Sequence, residues 1–230
     1  MAPSQAKWSV HSTQSVLLLI GLHEIKQLAH AEQSALMKHL IELLNKAKAL
    51  EIPVVDVYGD DTIQGMQRLG EWLSTRPQLM IAGKVTPSLK QILPHFQSVT
   101  QNICIVEDAI LLANQEQHIY WVDNLTAQGL HHMSTYSLKR LWNLSAPTEQ
   151  VISNKGILLA VAEQLDMEPL EIDPTMDLRD YGLDSVGMVT LVGLWRANGA
   201  NVRYEDVLEH CTLQALIPFV LQSHMRLDSI

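Results

Sequence analysis

The chain has 230 residues, 47% of them hydrophobic, a formal net charge of −9 and two cysteines. That length suits one large or two small domains, and no apolar run reaches the ~18 residues of a membrane span. Cys104 and Cys211 are too few for a disulfide framework or a cysteine metal cluster. Residues 1–7 lack the basic-then-apolar pattern of a secretory signal, so a reducing cytoplasm is expected. From residue 151 onward there are 12 acidic and 5 basic residues, a balance of −7, against 13 and 11 before it, a balance of −2. An acidic C-terminal third disfavours nucleic acid and suits basic protein partners, or else is simply a solvated surface.

The first ~150 residues alternate strand and helix signals. Val16-Leu-Leu-Leu-Ile20 reads as a buried parallel strand. Residues 33–50 follow as a helix with Leu36, Leu40, Leu43, Leu44 and Ala47 on one face. Strands are expected at 52–57, 79–81, 102–106 and 119–122, with an edge strand at 151–152. Helices are expected at 66–73, 89–96 with a break at Pro94, and 126–142. This order predicts an α/β domain with a parallel sheet. Beyond 153 the strand signals stop. Helices are expected at 155–165, 185–197, 204–210 and 213–222, the last interrupted by Pro218, with a long loop at 166–184. The domains are accordingly 1–153 and 154–230.

The stretch that carries chemistry is Asp177-Leu-Arg-Asp-Tyr-Gly-Leu-Asp-Ser-Val186. Gly182 permits a tight turn. Asp184 and Ser185 then open a helix, where acidic and hydroxyl residues are favoured. Leu178 and Leu183 are expected to pin the loop to the bundle. Taken alone, Asp184-Ser185 reads either as a helix cap or as a hydroxyl held out for another enzyme. Nothing near it forms a G-x-S-x-G elbow or another nucleophile signature, so no catalytic residue is assigned.

The full pattern resembles the attachment site of acyl and peptidyl carrier proteins, and the likeness extends over the last 75 or so residues. The resemblance implies a C-terminal four-helix carrier bundle. In it Ser185 receives 4′-phosphopantetheine from coenzyme A, making the chain a phosphoprotein, and Asp184 helps place the hydroxyl. Val186, Met188 and Val189 would form or back the partner-facing side, and Asp177, Asp180 and Asp184 would meet basic partner surfaces.

The two-part layout resembles the bifunctional isochorismatase–aryl carrier proteins of catechol siderophore biosynthesis. The N-terminal likeness rests on Val16–Ile20, Ile52-Pro-Val-Val55 and Tyr136-Ser-Leu-Lys139; Trp195-Arg196 after the attachment motif resembles the aryl carrier branch. It implies a parallel-sheet, isochorismatase-like (cysteine-hydrolase-type) domain and an aryl acid such as 2,3-dihydroxybenzoate as cargo for nonribosomal peptide synthesis. The partners implied are a phosphopantetheinyl transferase, an aryl-acid adenylating enzyme, a condensation domain and a second copy in a homodimer, with neither nucleic acid nor membrane. The family's hydrolytic residues do not carry over. Its acid after the first strand, in a pattern like Ile-His-Asp-Met-Gln, meets Leu22 in Ile20-Gly-Leu-His-Glu24. Its Lys-x-Arg-Tyr-Ser-Ala-Phe segment meets Gly83-Lys84-Val-Thr-Pro87, which keeps only the lysine, and its Gly-Cys turn has no match. The domain is expected to be an inactive scaffold; the alternative is a variant isochorismatase using Glu24 and Lys84. His131-His132 are expected on a helix surface without metal, and Trp121 and Trp142 in the core.

Overall fold

Val16 to Ile20 present no polar side chain to either face, and β1 (Ser15–Ile20) is buried throughout, as a central parallel strand must be. In a computed structural model describing residues 8–27, 31–57, 62–84, 94, 96–111 and 130–225, β1 lies between β2 (Val54–Val57) and β3 (Gln78–Lys84). β4 (Asn102–Leu111) and β5 (His131–Met133) continue the sheet, giving the order β2-β1-β3-β4-β5 among the described residues, every pair parallel. The expected helices at 89–96, its latter part excepted, and at 126–129, the strand at 119–122 and Trp121 fall outside the described residues.

The chain divides into two compact units, Met1–Ser145 and Ala146–Ile230, a few residues before the boundary read at 153. In the first, α1 (Leu22–Lys26), α2 (Ala31–Ala49), α3 (Thr62–Leu73) and α4 (Thr135–Ser145) flank the sheet. Alternate strand residues Val16, Leu18, Ile20, Leu79, Ile81, Ile103 and Ile105 share a core with Leu69 and Leu73 of α3 and with Phe96. α2 and α4 pack on each other and on β4. Their Leu40, Leu43, Leu138 and Trp142 are fully buried, and the Trp142 indole donates to Ser15 Oγ at 2.9 Å.

Three expectations are corrected in this unit and at its end. His131 and His132 lie on strand β5, not on a helix, because residues 131–133 pair with Cys104, Ile105 and Val106. His132 binds Glu107 at 2.8 Å, and His131 stacks on Trp8 with ring centroids 4.0 Å apart. Residues 151–152 are not an edge strand: Pro147 opens a short helix, α5 (Thr148–Val151), that packs on the next one. β4 runs five residues past its expected end through a register shift, where residues 106–109 stand opposite Ala82. That bulge sends the Asp108 carboxylate to the start of α4, where it accepts from Thr135 N at 2.7 Å and Thr135 Oγ1 at 2.8 Å.

The second unit contains α6 (Asn154–Leu165), α7 (Ser185–Ala197), α8 (Tyr204–Glu209) and α9 (Leu213–Met225), with a 3-10 turn at Pro169–Glu171 in the long loop. Its core is built from Ile157, Val161, Leu178, Leu191, Trp195, Val207, Leu216 and Val220. Pro218 does not interrupt α9; it lies on the exposed side, and the helix runs on to Met225. The α/β unit and the helical unit agree with the expected fold class. Among the described residues no helix is long and apolar enough to cross a membrane.

Candidate functional site: an exposed serine at the start of α7

The attachment motif folds as a loop stitched down at both ends. Leu178 N donates to Cys211 O at 2.7 Å, and Gln214 N to Pro174 O at 2.9 Å, so the loop is held against the α8–α9 turn. Asp173 N donates to the Tyr181 hydroxyl at 3.0 Å, tying the loop's middle to its end. Leu178 and Leu183 are buried, as expected. Gly182 has φ +100°, which explains glycine there; a Cβ would meet nothing within 4 Å, so the requirement is backbone conformation rather than space.

Asp184 is the N-cap of α7, its Oδ1 accepting from Gly187 N at 2.8 Å. Ser185 is therefore the first helical residue and is not the cap. Its side chain is exposed, and among the described residues its hydroxyl makes no hydrogen bond. A phosphate esterified there would sit at the positive end of the helix, whose first turn carries no acidic side chain. The geometry thus fits a phosphodiester on Ser185, with Asp184 fixing the backbone beneath it.

The other expected residues separate. Val186 is 71% exposed and Val189 59% exposed, side by side on the outer face of α7. Met188 is corrected: at 2% exposure it faces the core with Leu191, Val192 and Trp195 and backs the surface without forming it. The i, i+3, i+4, i+7 spacing of those four residues is a core stripe that was present in the sequence. Among the acids, Asp177 is engaged by Arg179, whose Nε lies 2.9 Å from Oδ1 and Nη2 2.5 Å from Oδ2. These bonds hold its carboxyl well below the usual range. Asp184 is occupied as a cap, which leaves Asp180 as the one of the three whose carboxylate accepts no hydrogen bond among the described residues. Neither the Asp177–Arg179 pair nor the Tyr181 latch was foreseen.

In the first unit, the chain passes from β1 to neighbours on either side, so the switch point of the sheet lies at the carboxyl ends of β1 and β3. There Lys84 Nζ meets Glu24 Oε2 at 2.5 Å, both side chains nearly half exposed. Gly83, at φ +108°, lets the strand ends close: a Cβ would collide with the Ile20 carbonyl. Leu22, where the family's acid was sought, is buried at 8% exposure. Asp56 on β2, which sequence reasoning passed over, has a buried Oδ1 without a partner among the described residues, and burial raises its pKa. Cys104 is buried in β4, and desolvation pushes its thiol far above the ordinary value. Among the described residues no three His, Cys, Asp or Glu side chains are grouped to hold a metal.

Comparison with known proteins decides the second unit. Residues 155–220 match the phosphopantetheine attachment site family. This part of the chain is a phosphopantetheine carrier domain. Its cofactor is covalent 4′-phosphopantetheine. An isochorismatase from Bacillus subtilis (strain 168) is 31% identical over 119 residues, covering 47% of this chain and 38% of that protein. A phenyloxazoline synthase MbtB from Mycobacterium sp. (strain MCS) is 38% identical over 65 residues, 28% of this chain and 6% of that protein. The chain thus spans well under two thirds of either relative. These matches agree with the resemblance to bifunctional isochorismatase–aryl carrier proteins. Among solved structures, YcaC from Pseudomonas aeruginosa aligns with TM-score 0.44 and 16% identity over 60% of this chain and 85% of that one. The YcaC gene product of Escherichia coli, described as an octameric hydrolase of unknown specificity, aligns with TM-score 0.44 and 14% identity over 87% and 95%.

Proposed function

We propose that the chain carries an aryl acid, such as 2,3-dihydroxybenzoate, as a thioester on a phosphopantetheine arm attached to Ser185, for nonribosomal siderophore synthesis. One observation carries this reading: the Ser185 hydroxyl is exposed and, among the described residues, makes no hydrogen bond at the first position of α7, while Asp184 does the capping. A serine needed only to end a helix would spend its oxygen on the backbone. No residue of the chain needs to activate this hydroxyl, because the transferase brings its own catalysis. An aryl-acid adenylating enzyme then loads the arm and a condensation domain unloads it. Intact-protein mass spectrometry after incubation with coenzyme A and a transferase tests the attachment. The expected result is a gain of one arm in the wild type and none in Ser185→Ala; arm addition in Ser185→Ala would overturn it. Loading the modified protein with a panel of aryl and amino acids then tests the cargo, with aryl acids expected to be preferred.

The N-terminal unit is read as a scaffold, and as the part that pairs in a homodimer. Buried Leu22 in place of an acid and the buried Cys104 support the absence of hydrolysis. The rival reading, hydrolysis of isochorismate, draws on the Glu24–Lys84 pair at the switch point. An isochorismate assay separates them: turnover by the wild type that is lost in Glu24→Gln would establish the enzyme.

A further inference from the structure

The loop after α6 is strongly acidic and carries a leucine turned out to solvent. Between Lys155 and Arg179 the chain has six acidic residues and no lysine or arginine. Asp166, Glu168, Glu171 and Asp173 are exposed, and so is Met176. Leu170, at the centre of the 3-10 turn Pro169–Glu171, is 100% exposed. The turn is held in that shape. Pro169 fixes its own φ, and the Glu171 carboxylate accepts from Glu168 N at 3.3 Å. A lone exposed leucine on a mobile surface needs no explanation. One fixed on a capped turn, with four carboxylates in the same stretch, has the make-up of a contact point with an apolar centre and a charged rim.

The N-terminal unit presents the opposite composition. Its helices α2 and α4 pack side by side, joined by Lys139 Nζ donating to Glu42 Oε2 at 2.8 Å. Glu42 is the one carboxylate among the described side chains of these two helices, and Lys139 occupies it. Tyr136 is 71% exposed, and Leu144 and Ile41 are exposed as well. Tyr136, Arg140 and Leu144 recur at i, i+4 and i+8 and share a face of α4, while Lys48 is exposed on α2. The surface is apolar and basic, in a chain whose net charge is −9.

We propose that this face binds the acidic loop of a second copy of the chain, with Leu170 set among Ile41, Tyr136 and Leu144 and the loop carboxylates opposite Lys48 and Arg140. Charge complementarity selects the occupant. Two α2–α4 faces pressed together would oppose like charges, which costs binding. Loop against face brings opposite charges together, and a reciprocal exchange makes the contact twice in a dimer. The inference rests on the homodimer reading and gives that dimer its two surfaces.

Sedimentation velocity of the full chain over a dilution series tests it with two exposed positions. Tyr136→Glu breaks the face, and Leu170→Arg breaks the loop. Each alone is expected to weaken self-association by on the order of ten-fold or more, at the wild-type melting temperature. Arg140→Glu takes the place of Tyr136→Glu should that variant melt early. An equimolar mixture of the two variants is expected to associate again, because the intact loop of one meets the intact face of the other. Either variant dimerising alone as tightly as the wild type, or two weakened variants that stay apart when mixed, would overturn the proposal and leave a homodimer built another way. A wild type that is monomeric at every concentration would overturn the homodimer reading and this contact together.

Discussion

The carboxylate of Asp184 accepts a 2.8 Å hydrogen bond from the backbone N–H of Gly187, one turn into α7. Two neighbouring residues thereby divide the work at this helix end, Asp184 for structure and Ser185 for exposure. Asp184→Ala is expected to destabilise the C-terminal unit by about 1 kcal/mol, and Asp184→Asn by much less, since asparagine caps nearly as well. Ser185→Ala is expected to change stability by less than about 0.5 kcal/mol, because the hydroxyl makes no hydrogen bond among the described residues. Urea unfolding followed by circular dichroism checks all three.

The attachment loop should respond to acid through Asp177. Hydrogen bonds from Arg179 depress this carboxyl in the folded chain. A depressed carboxyl stabilises the fold above its unfolded value near 4 and loses that contribution as the pH drops toward the folded value. Arg179→Ala is expected to be less stable than the wild type at pH 7, with the gap closing below about pH 4. Both residues are exposed, so added salt should narrow the gap at every pH. Denaturation midpoints from pH 7 down to 3 (a range set by the carboxylate reference value) read this directly; a gap no narrower at pH 3 than at pH 7 would contradict it.

In the N-terminal unit, Gly83 joins the carboxyl ends of β1 and β3 with a left-handed backbone. Gly83→Ala forces a Cβ into the Ile20 carbonyl and a non-glycine residue into positive φ. The expected loss exceeds about 1 kcal/mol in the N-terminal unit. Thermal unfolding should show it in the transition of that unit, with arm addition at Ser185 unaffected.

Asp108 offers a test of the β4 bulge. Its Oδ1 receives both the Thr135 N–H and the Thr135 hydroxyl, and its Oδ2 lies 3.9 Å from His39 Nδ1. Asp108→Ala should destabilise the N-terminal unit by about 1–2 kcal/mol, as removal of a helix-end acceptor does. Hydrogen exchange at the start of α4 should rise more than at β1.

The elements that declared themselves in the sequence are those whose burial is complete or whose caps are local. β1 is apolar at every position from Val16 to Ile20, and α7 begins where Asp184 can reach Gly187. β5 was read as helix because His131-His132-Met133 has no strand period of its own; pairing with β4 makes it a strand. The bulge in β4 was hidden for a similar reason, since the register depends on β3 and not on residues 106–109 themselves. In the carrier unit, Ser185 and Asp184 were legible because the motif is contiguous. The sequence left open whether Met188 forms or backs the surface; the helix phase counted from Leu191 and Trp195 puts it on the core side. The bond from Arg179 to Asp177 spans only two residues, yet it depends on how the loop is curled, which no periodicity encodes.

The two backbone bonds that fasten the loop, Leu178 to Cys211 and Pro174 to Gln214, join stretches more than thirty residues apart in sequence. The segment around Ser185 is consequently not a portable tag. A peptide of residues 177–186 grafted onto a foreign helix would keep its letters and lose the splint that aims the serine outward. Chimeras exchanged at the carrier should therefore take the turn between α8 and α9 along with the loop, as one part made of two pieces.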